Sequence, residues 1–215
     1  LFANYGKSQK EPADNQIIEA DDVWSEPIIA SAEILDNSEI GFSFISGTIN
    51  SNLNIYRMNF KNEQLKNIDI EQEGEYNYYS ADATIHQGIE FDVAFNLIQK
   101  LDISFNGAIN HNSFGSGNSK GNILPNTPLT LGNSIISYQH SKVIQTFVKL
   151  RYVGKQFVDD NNTPEGVIDP FTLLDIGSSL KFDKTALNLK INNLFDTMYS
   201  TYGYEWDGYW AYWPG

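Results

Sequence analysis

The chain has 215 residues, no cysteine and a formal net charge of −13. The missing cysteines rule out a disulfide framework and a thiolate metal site. The carboxylate excess argues against nucleic acid as a partner, since phosphate binding needs clustered Lys and Arg, and no apolar run is long enough for a membrane helix.

In chain order, Leu1 to Gly6 reads as the end of a strand, and a polar segment follows from Lys7 to about Ser31. Ile34 to Ser46 and Thr48 to Phe60 are expected to form a hairpin around Ser46-Gly47, with Ile40, Phe42 and Phe44 alternating in one arm and Ile49, Leu53 and Ile55 in the other. Tyr56, Met58 and Phe60 then take the opposite phase, which marks either a bulge or the exit of the strand from a membrane. A long loop is expected from Lys61 to Ser80, closing in Tyr76, Tyr78 and Tyr79.

Ala81 to Leu97 is the most informative stretch. Ala81, Ala83, Ile85, Ile89, Phe91, Val93, Phe95 and Leu97 fall on one face; Asp82, Thr84, His86, Glu90, Asp92 and Asn96 fall on the other. At about 3.3 Å per residue such a strand reaches roughly 55 Å, more than a tilted strand needs to cross the hydrocarbon core of a bilayer. One greasy face opposite an acidic one suits the wall of a barrel with lipid outside and a wet lumen inside.

A tight turn at Ile98-Gln99-Lys100 returns the chain as Leu101 to Asn112, and a Gly, Ser and Asn-rich loop covers Ser113 to Asn122. Thr127 to Gln139 and Val143 to Gln156 flank a turn at His140-Ser141-Lys142, and a loop follows from Phe157 to Asp169. Phe171 to Phe182 turns at Asp183-Lys184 into Thr185 to Phe195, and an aromatic tail closes the chain. The pattern predicts an all-β fold: an antiparallel transmembrane β-barrel segment of about nine long strands, with short turns at one end and long extracellular loops at the other. Ile85, Ile89, Phe91, Val93, Phe95, Ile103, Phe105, Val148, Leu150, Leu187 and Leu189 should face lipid, and Asp82, His86, Glu90 and Asp92 the lumen. An open sheet of this kind leaves two unpaired edges, so residues 1–215 read as one portion of a larger barrel.

Near the C-terminus the residues become specific. The run Leu187-Asn188-Leu189-Lys190-Ile191-Asn192-Asn193-Leu194-Phe195-Asp196-Thr197-Met198-Tyr199 resembles the late-barrel signature of TonB-dependent outer-membrane receptors, where an alternating strand leads into Asn-Leu-Phe-Asp and a Tyr three residues later. Tyr212-Trp213-Pro214-Gly215 is similar to the aromatic-Pro-Gly turn before the last strand of those receptors. Tyr152 to Asp159 and Asp169 to Asp175 resemble the loop-and-strand pair preceding that signature, Leu124-Pro125-Asn126-Thr127-Pro128 the entry to an earlier strand, and His86-Gln87-Gly88-Ile89-Glu90 a His-x-Gly-x-Glu strand of the family. Asn193 and Asp196 can cap backbone where the strand leaves the ladder, and Gly88 permits a bend or a close neighbour on the inner face.

The resemblance implies a barrel of about 22 strands plugged by an N-terminal domain. Such a receptor lies in the outer membrane of a Gram-negative bacterium and takes up a scarce extracellular small ligand with energy delivered through TonB. The implied partners are outer-membrane lipid, that ligand, and the TonB complex through an N-terminal part outside these residues. A ferric siderophore or other iron complex is the expected cargo, with glycan or cobalamin import and a passive porin as alternatives; no cofactor and no enzymatic activity are implied.

Candidate ligand contacts are the loop aromatics Trp24, Tyr76, Tyr78, Tyr79, Tyr202, Tyr204, Trp206, Tyr209 and Trp210, which serve equally as interfacial girdle or loop packing. His86, His111 and His140 have no metal-site spacing. Asp159-Asp160-Asn161-Asn162 lacks the Gly and the bidentate Glu of a calcium loop and reads as a surface turn. There is no G-x-S-x-G elbow, H-E-x-x-H pair or phosphate-binding Gly loop.

Overall fold

Long runs of alternating β-branched, aromatic and amide residues favour extended backbone. In the computed structural model, which describes residues 1–12, 17–18, 28–29, 31–68 and 76–215, every regular element is a strand. These are β1 (Phe2–Lys10), β2 (Ile17–Ile18), β3 (Ile28–Ile29), β4 (Glu33–Ile45), β5 (Ile49–Ile68), β6 (Tyr76–Ile98), β7 (Leu101–Phe114) and β8 (Thr130–Gln139). They continue as β9 (Ile144–Val153), β10 (Gln156–Phe157), β11 (Val167–Ile168), β12 (Phe171–Phe182), β13 (Thr185–Ile191), β14 (Ser200–Trp206) and β15 (Tyr209–Pro214). Nine of them form one antiparallel sheet in the order β1-β4-β5-β6-β7-β8-β9-β12-β13, so each long strand pairs with its neighbours in sequence.

Short turns lie at one end. Ser46 Oγ accepts from the Ile49 amide at 3.2 Å, and Ser141 Oγ from the Val143 and Ile144 amides at 3.2 Å. Asp183 adopts a left-handed φ of 39° in the β12–β13 turn, a conformation that Asp tolerates better than most residues. The connections at the other end are long.

Directly paired residues share a face, so the register sorts the sheet into rows. Ile40, Ile55, Ile89 and Ile109 form one row across β4 to β7. Below it run Phe42, Leu53, Phe91 and Gly107, then Phe44, Ser51, Val93 and Phe105. Above it stand Ser38, Arg57, Gln87 and His111, with Arg57 Nη1 donating to Gln87 Oε1 at 2.7 Å. The apolar face therefore ends abruptly between the isoleucine row and the arginine row. From Ile49 to Ile55 it is roughly 20 Å tall, near the lipid-facing band of known barrels. Ile55, Ile89 and Ile109 remain about half exposed, as do Val148, Leu150, Leu187 and Leu189 on the later strands.

This register settles the phase change at Tyr56. No bulge interrupts β5 there: Tyr56, Met58 and Phe60 pair with Gly88, His86 and Thr84 on the polar face, while Arg57 and Asn59 occupy the outer positions above the apolar band. Above the isoleucine row the outer positions of β5 are polar.

Two expectations are corrected. Lys61 to Ser80 is no loop: β5 runs on to Ile68 and β6 begins at Tyr76, so the hairpin projects well beyond the sheet. No Pro or Gly lies between Lys61 and Glu73 to stop the ladder. Ala81 also leaves the apolar face, being buried with Phe114 and Leu124 against Leu65. Asn62, at φ 55°, breaks the pairing opposite Asp82, and beyond that break the odd-numbered Glu63, Leu65, Tyr79 and Ala81 turn to the polar side.

Glycines in the sheet are matched by aromatics. Tyr56 pairs with Gly88, Phe91 with Gly107, Phe147 with Gly177, Phe2 with Gly41 and Tyr152 with Gly132. At the first four an added Cβ would meet the partner's ring at 3.1 Å or less. The aromatic covers backbone that a glycine leaves bare.

Buried side chains gather at the loop end, among them Ile123, Leu124, Val158, Ile168 and Leu173. A single sheet has no opposing layer, so the loops provide what core there is.

Candidate functional site

Four segments meet over the polar face: the β5–β6 projection, the loop after β7, the loop after β9, and the β14–β15 hairpin. They enclose a cavity of about 460 Å³. The loops are tied by side-chain amides. Asn122 Nδ2 donates to the Asp160 carbonyl at 2.8 Å; the Ile123 amide donates to Asn162 Oδ1 at 2.6 Å, and Asn162 Nδ2 returns to the Ile123 carbonyl at 2.8 Å. Asn126, held at φ 55°, does the same for the hairpin: Nδ2 donates to the Gly203 carbonyl at 3.1 Å, and the Gly203 amide donates to Oδ1 at 3.0 Å. These reciprocal pairs add polar ties to the small apolar core of the loops.

The floor is made by the β5–β6 pair. His86 Nε2 lies 2.9 Å from Glu63 Oε2, the Thr84 hydroxyl donates to the same carboxylate, and the Phe60 ring meets His86 edge-on with centroids 5.1 Å apart. On one wall Tyr79 Oη donates to Asp160 Oδ1 at 3.0 Å. Burial pushes the Tyr79 phenol well above the ordinary tyrosine range, and the adjacent Asp160 carboxylate adds to the shift. Burial also pushes the Asp160 carboxyl up, with the Tyr79 hydrogen bond offsetting part of the rise. Asp159 is spent on its own turn, Oδ1 accepting from the Asn161 amide at 2.8 Å and the Thr163 amide at 3.1 Å. The Asp-Asp-Asn-Asn run is therefore a closed Asx turn. Among the described residues no group of three His, Cys, Asp or Glu side chains is placed to hold a metal ion.

Of the aromatic candidates, Tyr79, Tyr202 and Tyr204 line this cavity. Trp213 packs with Tyr202 and Tyr204 at centroid distances of 6.0 and 6.5 Å. Trp210 covers Gly166, where an added Cβ would meet its ring at 2.6 Å, and Tyr209 is exposed near the hairpin tip. Trp24 lies outside the described residues, as do the side chains of Tyr76, Tyr78 and Trp206, whose backbones belong to β6 and β14. The expected aromatic tail is thus a hairpin. Pro214 pairs with Ser200 and the Gly215 amide donates to the Tyr199 carbonyl at 3.2 Å, which continues that hairpin where a turn was expected.

His86, Glu90 and Asp92 share the polar face with Met58, Asn54 and Asn52, and Asn52 Nδ2 donates to Asp92 Oδ2 at 2.7 Å. Asp82 sits at the phase break and is exposed. His111 stands in the polar row outside, and His140 lies 2.8 Å from Thr146 Oγ1 at the short-turn end. Glu63, Asn126, Val158 and Asp160 also line the cavity without a local sequence signal for it, and so does Glu205, which stands within the C-terminal aromatic run.

Residues 1–194 match the family model described as TonB dependent receptor-like, beta-barrel. An iron-regulated outer membrane virulence protein of Vibrio cholerae is 27% identical over 133 residues, which is 60% of this chain and 20% of that protein. The chain therefore spans about a fifth of the curated relative. Among solved structures, the ferric yersiniabactin uptake receptor of Yersinia pestis superposes with a TM-score of 0.79 at 16% identity, covering 99% of this chain and 32% of that one. A ferric-catecholate import receptor of Escherichia coli K12 gives 0.71 at 21% identity, covering 99% and 30%. A copper transporter gives 0.76 at 13% identity, covering 99% and 35%. At these identities the superpositions speak for the fold, an antiparallel transmembrane barrel wall whose long loops are extracellular. The chain belongs to the TonB-dependent receptor β-barrel family, proteins of the bacterial outer membrane that are receptors rather than enzymes.

Proposed function

We propose that these residues form the C-terminal portion of a receptor that imports an iron complex, most simply a ferric siderophore, across the outer membrane. The observation that carries the reading is the cavity of about 460 Å³ under the extracellular loops, lined by Tyr79, Tyr202 and Tyr204, of a size that suits a small organic ligand. The named cargo of the similar receptors, ferric yersiniabactin and ferric catecholates, supports iron. The polar face carrying His86, Glu90 and Asp92 is then the lumen wall. Strands outside these residues pair with the free edges of β1 and β13, where the sheet ends. Contact with TonB belongs to an N-terminal part outside the 215 residues.

Uptake of labelled ferric siderophores by cells carrying the full-length receptor tests this, with and without a collapsed proton gradient. Gradient-dependent uptake is expected. Gradient-independent passage of small solutes would make the protein a porin, and growth restored on oligosaccharides without iron uptake would make it a glycan importer.

A further inference from the structure

Apart from His86, which is paired with Glu63, the titratable side chains that could carry charge at the cavity wall at neutral pH are carboxylates. Glu63, Asp159, Asp160 and Glu205 line it, and no Lys or Arg is among the described lining residues. The nearby Lys155 is turned onto the Phe157 ring, its Nζ 4.4 Å from the centroid. A ligand entering here leaves water against carboxylates. For an anion that exchange is repulsive at close range, and no Lys or Arg among the described lining residues offsets it. A cationic group meets the opposite situation, with the exposed Glu205 carboxylate and the Tyr202 and Tyr204 side chains in the same lining.

A bare metal ion is poorly served. Asp159 is consumed by its own turn, Asp160 holds Tyr79, and Glu63 is engaged with Thr84 and His86. The walls suit an organic complex that brings its own metal ligands.

We propose that the receptor selects iron complexes of neutral or positive net charge and discriminates against polyanionic ones. The proposal rests on the reading of this cavity as the ligand site of an iron-complex receptor; the acidic lining decides only the charge class.

The test is equilibrium binding to the purified full-length receptor of three ferric complexes: a trihydroxamate bearing a free ammonium arm, its N-acetylated neutral form, and a trianionic tris-catecholate. The ammonium form is expected to bind at least as tightly as the neutral form, and both far more tightly than the trianion. Glu205→Gln should weaken the ammonium complex roughly three- to tenfold more than it weakens the acetylated one, as expected for loss of one facing charge. The ammonium preference should shrink as salt is raised. A tris-catecholate that binds as tightly as the ammonium complex would overturn the charge rule and leave the iron reading intact. Failure of all three complexes to bind would overturn the iron reading, and this proposal with it.

Discussion

The Tyr56 side chain lies across Gly88, its direct partner on the neighbouring strand, and its hydroxyl donates to Asn110 Oδ1 at 3.0 Å on the strand beyond. One residue thereby links β5, β6 and β7 on the polar face. A Cβ at position 88 would stand 2.9 Å from Tyr56 Oη and 2.5 Å from the Ile109 carbonyl oxygen. The phenol can swing away, but the carbonyl is part of the ladder. Gly88→Ala should therefore cost about 1–3 kcal/mol, the range of overpacking in a tight site. Tyr56→Phe keeps the ring over the glycine and should lose only the hydrogen bond, about 0.5–1.5 kcal/mol. Thermal unfolding of the full receptor in detergent checks both; a Gly88→Ala variant as stable as wild type would remove the steric account.

The apolar face offers a sharper contrast. Val93 stands among Ser51, Phe105 and its apolar row, whereas Asp92 faces the other way against Asn52. Val93→Lys should cost about 2–4 kcal/mol near the bilayer midplane, and Asp92→Asn much less. Folding of the two variants into lipid vesicles measures the difference. Equal costs would mean that both faces are packed against protein.

How much of this was legible in the sequence depends on the interaction. Strands whose side chains alternate between lipid and water advertise themselves, so the hairpin rhythm and the stretch from Ala81 to Leu97, apart from the facing of Ala81 itself, could be read directly. The upper part of the β5–β6 hairpin could not, because Lys61 to Ile68 has no apolar face and is held by ladder hydrogen bonds that any side chain permits. The phase change at Tyr56 was visible; its cause needed the row of Ser38, Arg57, Gln87 and His111, which exists only once register is known. The cavity was least legible of all. Its walls come from segments far apart in sequence, joined by Asn side chains to backbone groups, and an Asn in a loop looks the same whether or not it makes such a bond.

Asn126 is the clearest case. Removing its side chain takes both hydrogen bonds to Gly203, the direct tie between the hairpin and the loop after β7. Asn126→Ala should loosen the hairpin by about 1–3 kcal/mol, the cost of two lost bonds with partners half-shielded from water. Limited proteolysis should then cut near Asp207-Gly208 faster than in wild type. Asn126→Asp retains the acceptor for the Gly203 amide and should fall between the two. Unchanged cleavage in Asn126→Ala would mean that apolar contacts alone seat the hairpin.

The Tyr79–Asp160 pair predicts a pH dependence with a definite sign. Tyr79 has a folded-state pKa above its unfolded value of 10.0, so the folded rim holds that proton more tightly than the unfolded chain does. Its contribution to stability is fully present below pH 10 and is lost as pH climbs through the raised value. In a spectroscopic titration, Tyr79→Phe should remove a phenol that ionises above the ordinary tyrosine range. Asp160 follows the same rule at acid pH: burial raises its pKa, so its contribution to stability is fully present below about pH 4 and is lost as pH climbs through the raised value, while the Tyr79 hydrogen bond, which favours the ionised carboxylate, offsets part of that loss. Asp160→Asn keeps an acceptor for Tyr79 and should flatten the acid limb without abolishing the contact.

The last relationship joins two of the sequence signatures. Asp175, at the end of the Asp169 to Asp175 segment, is 2% exposed and accepts the Asn193 amide on Oδ1 at 2.9 Å, while the Leu194 amide donates to the Leu174 carbonyl at 2.7 Å. Lys190 Nζ stands 3.2 Å from Asp175 Oδ2, with Arg151 at 3.9 Å. Asn193 takes a left-handed φ of 47° and locks the following turn through Thr197, whose amide donates to Asn193 Oδ1 at 2.9 Å. The Asn-Leu-Phe-Asp signature is thus a strand terminus bolted to its neighbour by a buried carboxylate. Asp175→Asn keeps an acceptor for Asn193 but gives up the charge facing Lys190, whose side chain is about half exposed, so solvent screening limits the loss. Asp175→Ala also orphans the Asn193 amide and should cost about 1–3 kcal/mol more than the Asn variant. Unfolding of the two variants in denaturant measures the gap. Equal stabilities would show that the salt bridges, and not the Asn193 bond, hold the strand end.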